Sequence, residues 1–278
     1  MKHAYLILAH GSFDLLRLLV SRLDDGRNDI FVHMDKKVKV LPELHTEHAG
    51  LYFTRGRVDV RWGDWSVVEA EYVLFAEAVA GGPYQYYHLL SGVDLPVKSQ
   101  DYIHAFCDAH EGTEFIGYTL TEITPEVVRK VQRWHLFPED FKNTSVVKRA
   151  LRAACIRIQE FLGIYRNRDV DFKKGSQWVS VTDAMARHFL AKRAWAQKVF
   201  SHSFCADEMV MQTLAWQPPF REKLYNTQDD GAGCLRAIGW NDGRIVDWTP
   251  EDLPALRASE ALFARKFRNK DVERLCEE

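Results

Sequence analysis

The pair Asp207-Glu208 has the residue types needed by a reaction that must take a proton from a hydroxyl. An ionised, positioned Glu does that work near neutral pH. Val210, Met211 and Leu214 follow at helical spacing. This pattern predicts a short helix with Asp207 at the N-cap and Glu208 in the first turn, where free N–H groups and the helix dipole favour an ionised acid. The plain alternative is a cap with no chemistry attached.

Other residues could take part. His10, His33 and Asp35 each follow or close an apolar run, and polar groups at the carboxyl ends of neighbouring parallel strands form binding sites. Asp169-Val170-Asp171 has the spacing of a divalent-cation motif, but it follows a basic helix rather than a core strand and reads as a surface loop. Residues 114–141 mix Tyr118, Arg129, Arg133, Trp134 and His135, a composition suited to sugar or phosphate contacts and equally to a solvated helix face. The cysteines, Cys107, Cys155, Cys205, Cys234 and Cys276, are odd in number and show no CxxC spacing. Free thiols in a reducing cytosol are expected, with no disulfide framework and no zinc site.

The elements that must position these groups begin with Tyr5-Leu6-Ile7-Leu8-Ala9-His10, a buried strand closed by Gly11-Ser12. A helix with Leu15, Leu16, Leu18, Leu19 and Leu23 on its buried side follows, then a strand from Ile30 through Asp35. That is a βαβ opening. Residues 57–62 read as a third strand, with Trp62 at its end as core or as a stacking surface. Ser66 and Glu69 form a capping box for a helix that ends at Gly81-Gly82. A strand at residues 86–90 leads into Ser91-Gly92-Val93-Asp94. Later strands are expected at residues 175–181 and 245–248, and Thr249-Pro250 opens a helix. Residues 146–174 form a basic amphipathic segment with Leu151, Cys155, Ile158 and Leu162 at helical spacing. Such a segment can rest on an anionic membrane surface; packing on the sheet is the ordinary reading.

Composition narrows the class. Of 278 residues, 46% are hydrophobic, enough for a substantial core, and the net charge of −2 excludes a nucleic-acid-binding surface built on bulk charge. No repeat, low-complexity linker, signal-peptide pattern or apolar run of transmembrane length is present, so a soluble cytoplasmic protein is expected, at most resting on the inner face of the membrane. The pattern is one mixed α/β domain over residues 1–278, with a nucleotide-binding part over roughly 1–110 and an acceptor and catalytic part over roughly 111–278.

Taken in order, several stretches resemble the core-2/I-branching glycosyltransferases, the family that includes the peptide O-xylosyltransferases. They are His33-Met34-Asp35-Lys36-Lys37, Trp62-Gly63-Asp64-Trp65-Ser66, Leu90-Ser91-Gly92-Val93-Asp94-Leu95-Pro96 and Gly175-Ser176-Gln177-Trp178. Asp207-Glu208, Ile245-Val246-Asp247-Trp248 and Leu262-Phe263-Ala264-Arg265-Lys266-Phe267 complete the set. The resemblance implies a GT-A-like fold and inverting transfer from a UDP-sugar to a glycan hydroxyl, with neither metal nor other cofactor. It implies that Leu8 and Asp35 meet the uracil and ribose, with Trp62 stacking nearby. Glu208 would be the base, Arg244 and Lys266 the diphosphate clamp, and Trp240 and Arg129 acceptor contacts. An acidic acceptor contact near Gly117 or Tyr118 has no counterpart, and Asp242 stands where the family has an aromatic residue. The Asp207-Glu208 form favours GlcNAc as the donor sugar, while Ile245-Val246-Asp247-Trp248 is closer to the xylosyltransferases. The chain lacks the animal stem and membrane anchor and looks like a compact bacterial form acting on glycans under construction. A metal-dependent transferase or hydrolase using Asp169 and Asp171, and a non-catalytic sugar-binding protein, are the other classes to weigh.

Overall fold

Strands covered on both faces read as continuous apolar runs, and three such runs form the centre of the molecule. In the computed structural model, which describes residues 1–119, 121–122, 124–142, 145–242 and 244–277, these are β1 (His3–Ala9), β2 (Asn28–Met34) and β4 (Tyr86–Ser91). With β3 (Gly50–Phe53) and β6 (Ser180–Thr182) they make a five-stranded sheet of order β3-β2-β1-β4-β6. All neighbours are parallel except β6, which runs antiparallel to β4. A second sheet, β5-β10-β7, joins β5 (Asp94–Pro96), β7 (Arg236–Ile238) and β10 (Phe263–Arg265). A two-residue hairpin pairs β8 (Trp240–Asn241) with β9 (Arg244–Ile245).

Alternation along β1 divides the core into two layers. Tyr5, Ile7 and Ala9 pack with Leu15, Leu16 and Leu19 of α1 (Phe13–Arg22). Ala4 and Leu6 pack with Val68, Leu74 and Phe75 of α2 (Ser66–Gly81). On the second side Phe189, from α6 (Asp183–Ala191), stacks on Tyr72 with ring centroids 4.1 Å apart. Helices on both faces of a mixed sheet make this a single α/β domain consistent with a GT-A-like fold. From β1 the chain winds outward to β2 and β3, then returns to place β4 on the other side of β1. The carboxyl ends of β1 and β4 therefore flank a topological switch point, where open α/β sheets bind ligands.

The remaining helices named below are α3 (Gln100–Ala109), α4 (Pro125–Val131), α5 (Val146–Phe161), α7 (Arg193–Phe200) and α8 (Val210–Ala215). Among the described residues no helix is long and apolar enough to cross a membrane. All five cysteines are unpaired.

Several local expectations are corrected. Residues 57–62 form no strand. Val58 instead donates its N–H to His33 Nε2 at 2.9 Å and accepts from the Lys36 N–H, so side-chain bonding holds the segment beside β2. Ser66 is not an N-cap: Trp65 already has helical dihedrals, and the Asp64 side chain, two residues earlier, accepts the Ser66 N–H at 2.7 Å. Of the expected strand at 175–181 only Ser180 and Val181 join the sheet, as part of β6. Gly175 runs too close to another chain segment for any side chain, since an added Cβ would lie 1.9 Å from the Gly117 carbonyl oxygen. Of residues 245–248 only Ile245 is in a strand. Finally, α5 does not lay its apolar face on the sheet. Its buried residues are Ile156 and Gln159.

Candidate active site

A cleft of about 950 Å³ opens at the carboxyl ends of β1 and β4. One end of it follows from strand geometry. Leu8 is half-buried at the end of β1. Asp35, just past β2, is buried, with its carboxylate accepting the Lys37 N–H and lying 2.8 Å from Lys37 Nζ. Trp62 is 53% exposed, held by an edge contact with Phe204 at 5.5 Å and capped by Lys142 Nζ at 5.7 Å. An exposed indole fixed on one edge is a stacking platform for a planar ring. His33, in contrast, is a structural residue: burial pushes its pKa down to about 4, and the neutral ring accepts from Val58.

The acidic pair reaches the cleft by a different local structure from the expected cap. Cys205 takes a left-handed conformation (φ 53°), Ala206–Glu208 make a 3₁₀ turn, and α8 starts only at Val210. Asp207 therefore caps nothing. Its Oδ1 is shut off from solvent and finds no partner among the described residues. That enclosure, and then the charge of Glu208, pushes its pKa up to about 7. Both acids line the cleft, and Glu208 is the more open of the two, with its side chain 35% exposed. Its Oε2 lies 3.3 Å from Lys130 Nζ and 3.8 Å from Lys174 Nζ. Burial opposes the charge on Lys130, but the Glu208 and Glu126 carboxylates outweigh it and its pKa is raised. The turn is tied down by the Gly175 N–H, which donates to the Glu208 carbonyl at 2.9 Å.

Behind this face lies a second, hidden carboxyl group. Glu71 of α2 is buried and receives a 2.6 Å bond from Gln177 Nε2. Burial, and then Asp207, drive its pKa well above the usual carboxylate range. Asp230 also lines the cleft and accepts the Ser176 N–H at 2.7 Å; burial raises its pKa despite that bond.

The strand end after β4 carries one acid, not two. Asp94 is buried and fully engaged: Ser91 donates both its N–H and its hydroxyl to it, and Arg265 Nη1 lies 2.9 Å from Oδ1. Arg265, from β10, also donates to Ser91 Oγ at 2.6 Å and stacks over Trp178 at 4.1 Å. Its Nε–H is buried without a partner among the described residues. Arg265 lines the cleft. A planar cation with a spare donor beside a single, already paired carboxylate suits an anionic group better than a metal ion.

The cleft thus brings together Leu8, Asp35, Trp62, Glu208 and Trp240. Trp240 is 61% exposed on the β8–β9 hairpin, which also carries the exposed Arg244. Three residues singled out in the sequence are not among its lining. Arg244 sits across from Asn241 in that hairpin. Lys266 has its Nζ 3.5 Å from Asp247. Arg129 points to Glu160 at 3.5 Å. Asp169 and Asp171 also lie outside the lining, with Asp171 paired to Lys173.

Sequence reasoning missed Arg265, Lys130, Lys174 and Asp230. Arg265 had a signal: it closes β10 directly before the flagged Lys266. The two lysines had none, because they reach Glu208 from segments 78 and 34 residues away in the chain. Elsewhere, His3, His88 and Cys107 place potential ligand atoms within 4.8 Å of one another. They lie inside the core toward the amino end of β1, with His3 bonded to His88 at 3.1 Å and His88 to Ser180 at 2.7 Å. Burial holds both imidazoles below their ordinary pKa, as in a satisfied core network.

No curated protein matches this chain. Residues 3–275 match the family model of the Core-2/I-Branching enzyme, and a match over nearly the whole length means that the chain belongs to this family of glycosyltransferases.

Proposed function

We propose that this protein transfers a sugar from a UDP-sugar to a glycan hydroxyl with inversion and without a metal ion, using Glu208 as the base. The observation that carries the reading is the Glu208 carboxylate, turned into the cleft between Lys130 and Lys174. The acceptor oxygen forms a bond to the anomeric carbon from the face opposite the nucleotide, and its proton passes to Glu208. The bond between that carbon and the diphosphate oxygen breaks, and UDP leaves with the electron pair. Its growing negative charge needs fixed positive partners. Arg265 is inside the cleft for this purpose, and Lys266 and Arg244 on the neighbouring segments are the further candidates. Leu8, Asp35 and Trp62 receive the nucleoside, and Trp240, with Arg129 farther out, faces the acceptor. GlcNAc is the favoured donor sugar, on the form of the Asp207-Glu208 pair; xylose is the alternative.

A thermal-shift panel of UDP-sugars tests donor and metal together, since a ligand that binds the native state raises its stability with affinity and concentration. UDP-GlcNAc is expected to give the largest shift, unchanged by EDTA, and transfer is expected to survive EDTA and gain little from manganese. Transfer abolished by EDTA and restored by manganese would overturn the cation-only reading.

Lys266 gives a second test. If it holds the diphosphate, Lys266→Ala weakens UDP binding more than uridine binding, because uridine has no phosphates. Equal losses would leave Lys266 as a structural partner of Asp247.

A further inference from the structure

The helix α5 is inside out. Amphipathic helices of soluble proteins turn their apolar stripe to the core, yet here Val147, Leu151, Ile158, Phe161 and Leu162, spaced by threes and fours, all face solvent. Phe161 is 90% exposed and Val147 67%. The opposite, polar face makes the attachment. Gln159 is buried and bonds the Trp134 backbone in both directions, accepting its N–H at 2.8 Å and donating to its carbonyl at 3.0 Å. Lys148 pairs with Asp140, and Arg152 stacks over Phe141 at 4.6 Å. The orientation is therefore built in by specific inward polar contacts. Beyond the helix the exposed surface continues through Ile164 and Tyr165.

Charge says what such a face meets. Between residues 142 and 168 the chain has seven Lys and Arg and one acid, Glu160, in a protein whose net charge is −2. Arg157 is exposed at one edge of the apolar stripe, one turn before Phe161, and Lys148, half-buried, stands at the other. An apolar stripe with basic borders matches an anionic lipid surface, where the stripe enters the headgroup boundary and the cations meet phosphates. A second copy of this chain would instead set these cations against each other. Glu139, Asp140 and Lys142, on the segment leading into α5, line the cleft, so the helix lies next to the candidate active site, its polar face toward that segment.

We propose that α5 docks this protein on an anionic phospholipid surface through Val147, Leu151, Ile158, Phe161 and Leu162. The docking does not depend on which reaction the cleft performs. The test is flotation of the full chain with vesicles of phosphatidylcholine containing phosphatidylglycerol, against vesicles of phosphatidylcholine alone. Binding is expected to the anionic vesicles and to weaken with salt. The double variant Ile158→Ser/Phe161→Ser should lower partitioning by about tenfold or more through lost apolar insertion. Arg157→Glu should lower it by about fivefold or more, given about 1 kcal/mol for each cation at such a surface. All three positions are exposed, so both variants should melt with the parent. No binding to anionic vesicles at low salt, or binding unchanged in either variant, would overturn the proposal. So would a self-association in sedimentation that the Ile158→Ser/Phe161→Ser variant abolishes in a protein that ignores vesicles.

Discussion

Glu208→Gln is expected to cut turnover by about 10²–10⁴-fold, the range for removing a general base, while leaving UDP binding and fold in place. Gln keeps the length and hydrogen-bonding reach of Glu and removes the proton acceptor. The turn that presents residue 208 is held by backbone bonds, from Gly175 N–H to the Glu208 carbonyl and from Met209 N–H to the Ala206 carbonyl. Neither involves the side chain. Lys130 would lose one carboxylate but keep Glu126 at 3.1 Å, so only a small change in melting temperature is expected. The measurement is transfer rate at saturating donor, beside a UDP titration of both proteins. A variant within a few-fold of the parent would remove Glu208 as the base. Asp207 is the next residue to try, although its Oδ1 is closed to solvent.

The second large effect concerns stability. Arg265→Ala should destabilise the fold by about 3–5 kcal/mol, because removing one partner of a buried ion pair strands the other charge. Asp94 is 1% exposed in the pair and the Arg265 side chain 17%, so solvent cannot take over the role of the guanidinium. The same change removes the stack on Trp178. Adding Asp94→Asn to Arg265→Ala should recover a large part of the loss, since the stranded charge is gone. Urea denaturation of the parent, both single variants and the double variant gives the coupling directly. An Arg265→Ala protein within about 1 kcal/mol of the parent would show that the pair is solvated and that Arg265 is free to serve ligand alone. UDP affinity of the double variant then separates the two parts: if Arg265 also faces the diphosphate, binding stays weak after stability returns.

These two residues also show where reading the chain was enough. Glu208 stood out from its acidic neighbour and the apolar residues after it, because a carboxylate pair beside an apolar helix face is a local pattern. Its backbone setting was not local: the left-handed Cys205 and the 3₁₀ turn replace the expected cap, and Asp207 lines the cleft with its Oδ1 enclosed instead of bonding a helix end. Arg265 was hidden by its neighbour. Arg265 closes β10 and Lys266 lies just past it, so which of the two enters the cleft depends on how β10 pairs with β5 and β7.

The helix at residues 146–161 makes the same distinction from the other side. Its periodicity placed the start of the helix, although the expected segment ran to residue 174 and the helix ends at Phe161, and a stripe at that spacing ordinarily packs inward. Here the inward face is set by Gln159, Lys148 and Arg152, each satisfied by a partner elsewhere in the fold, and no periodicity in one segment records the position of those partners.

By itself, the sequence determined the parallel strands at the centre, the helices packed on them, the strand ends that carry Leu8 and Asp35, and the family to which the ordered motifs point. Burial of continuous apolar runs and helical spacing are properties of neighbouring residues, so they survive without coordinates. Only the tertiary structure decided that Lys130 and Lys174 meet at Glu208, that Arg265 neutralises Asp94, and that α5 faces outward. Each of those depends on charges and polar groups distant in the chain finding one another, because a buried charge or hydrogen-bonding group left alone costs more than the local preferences it overrides.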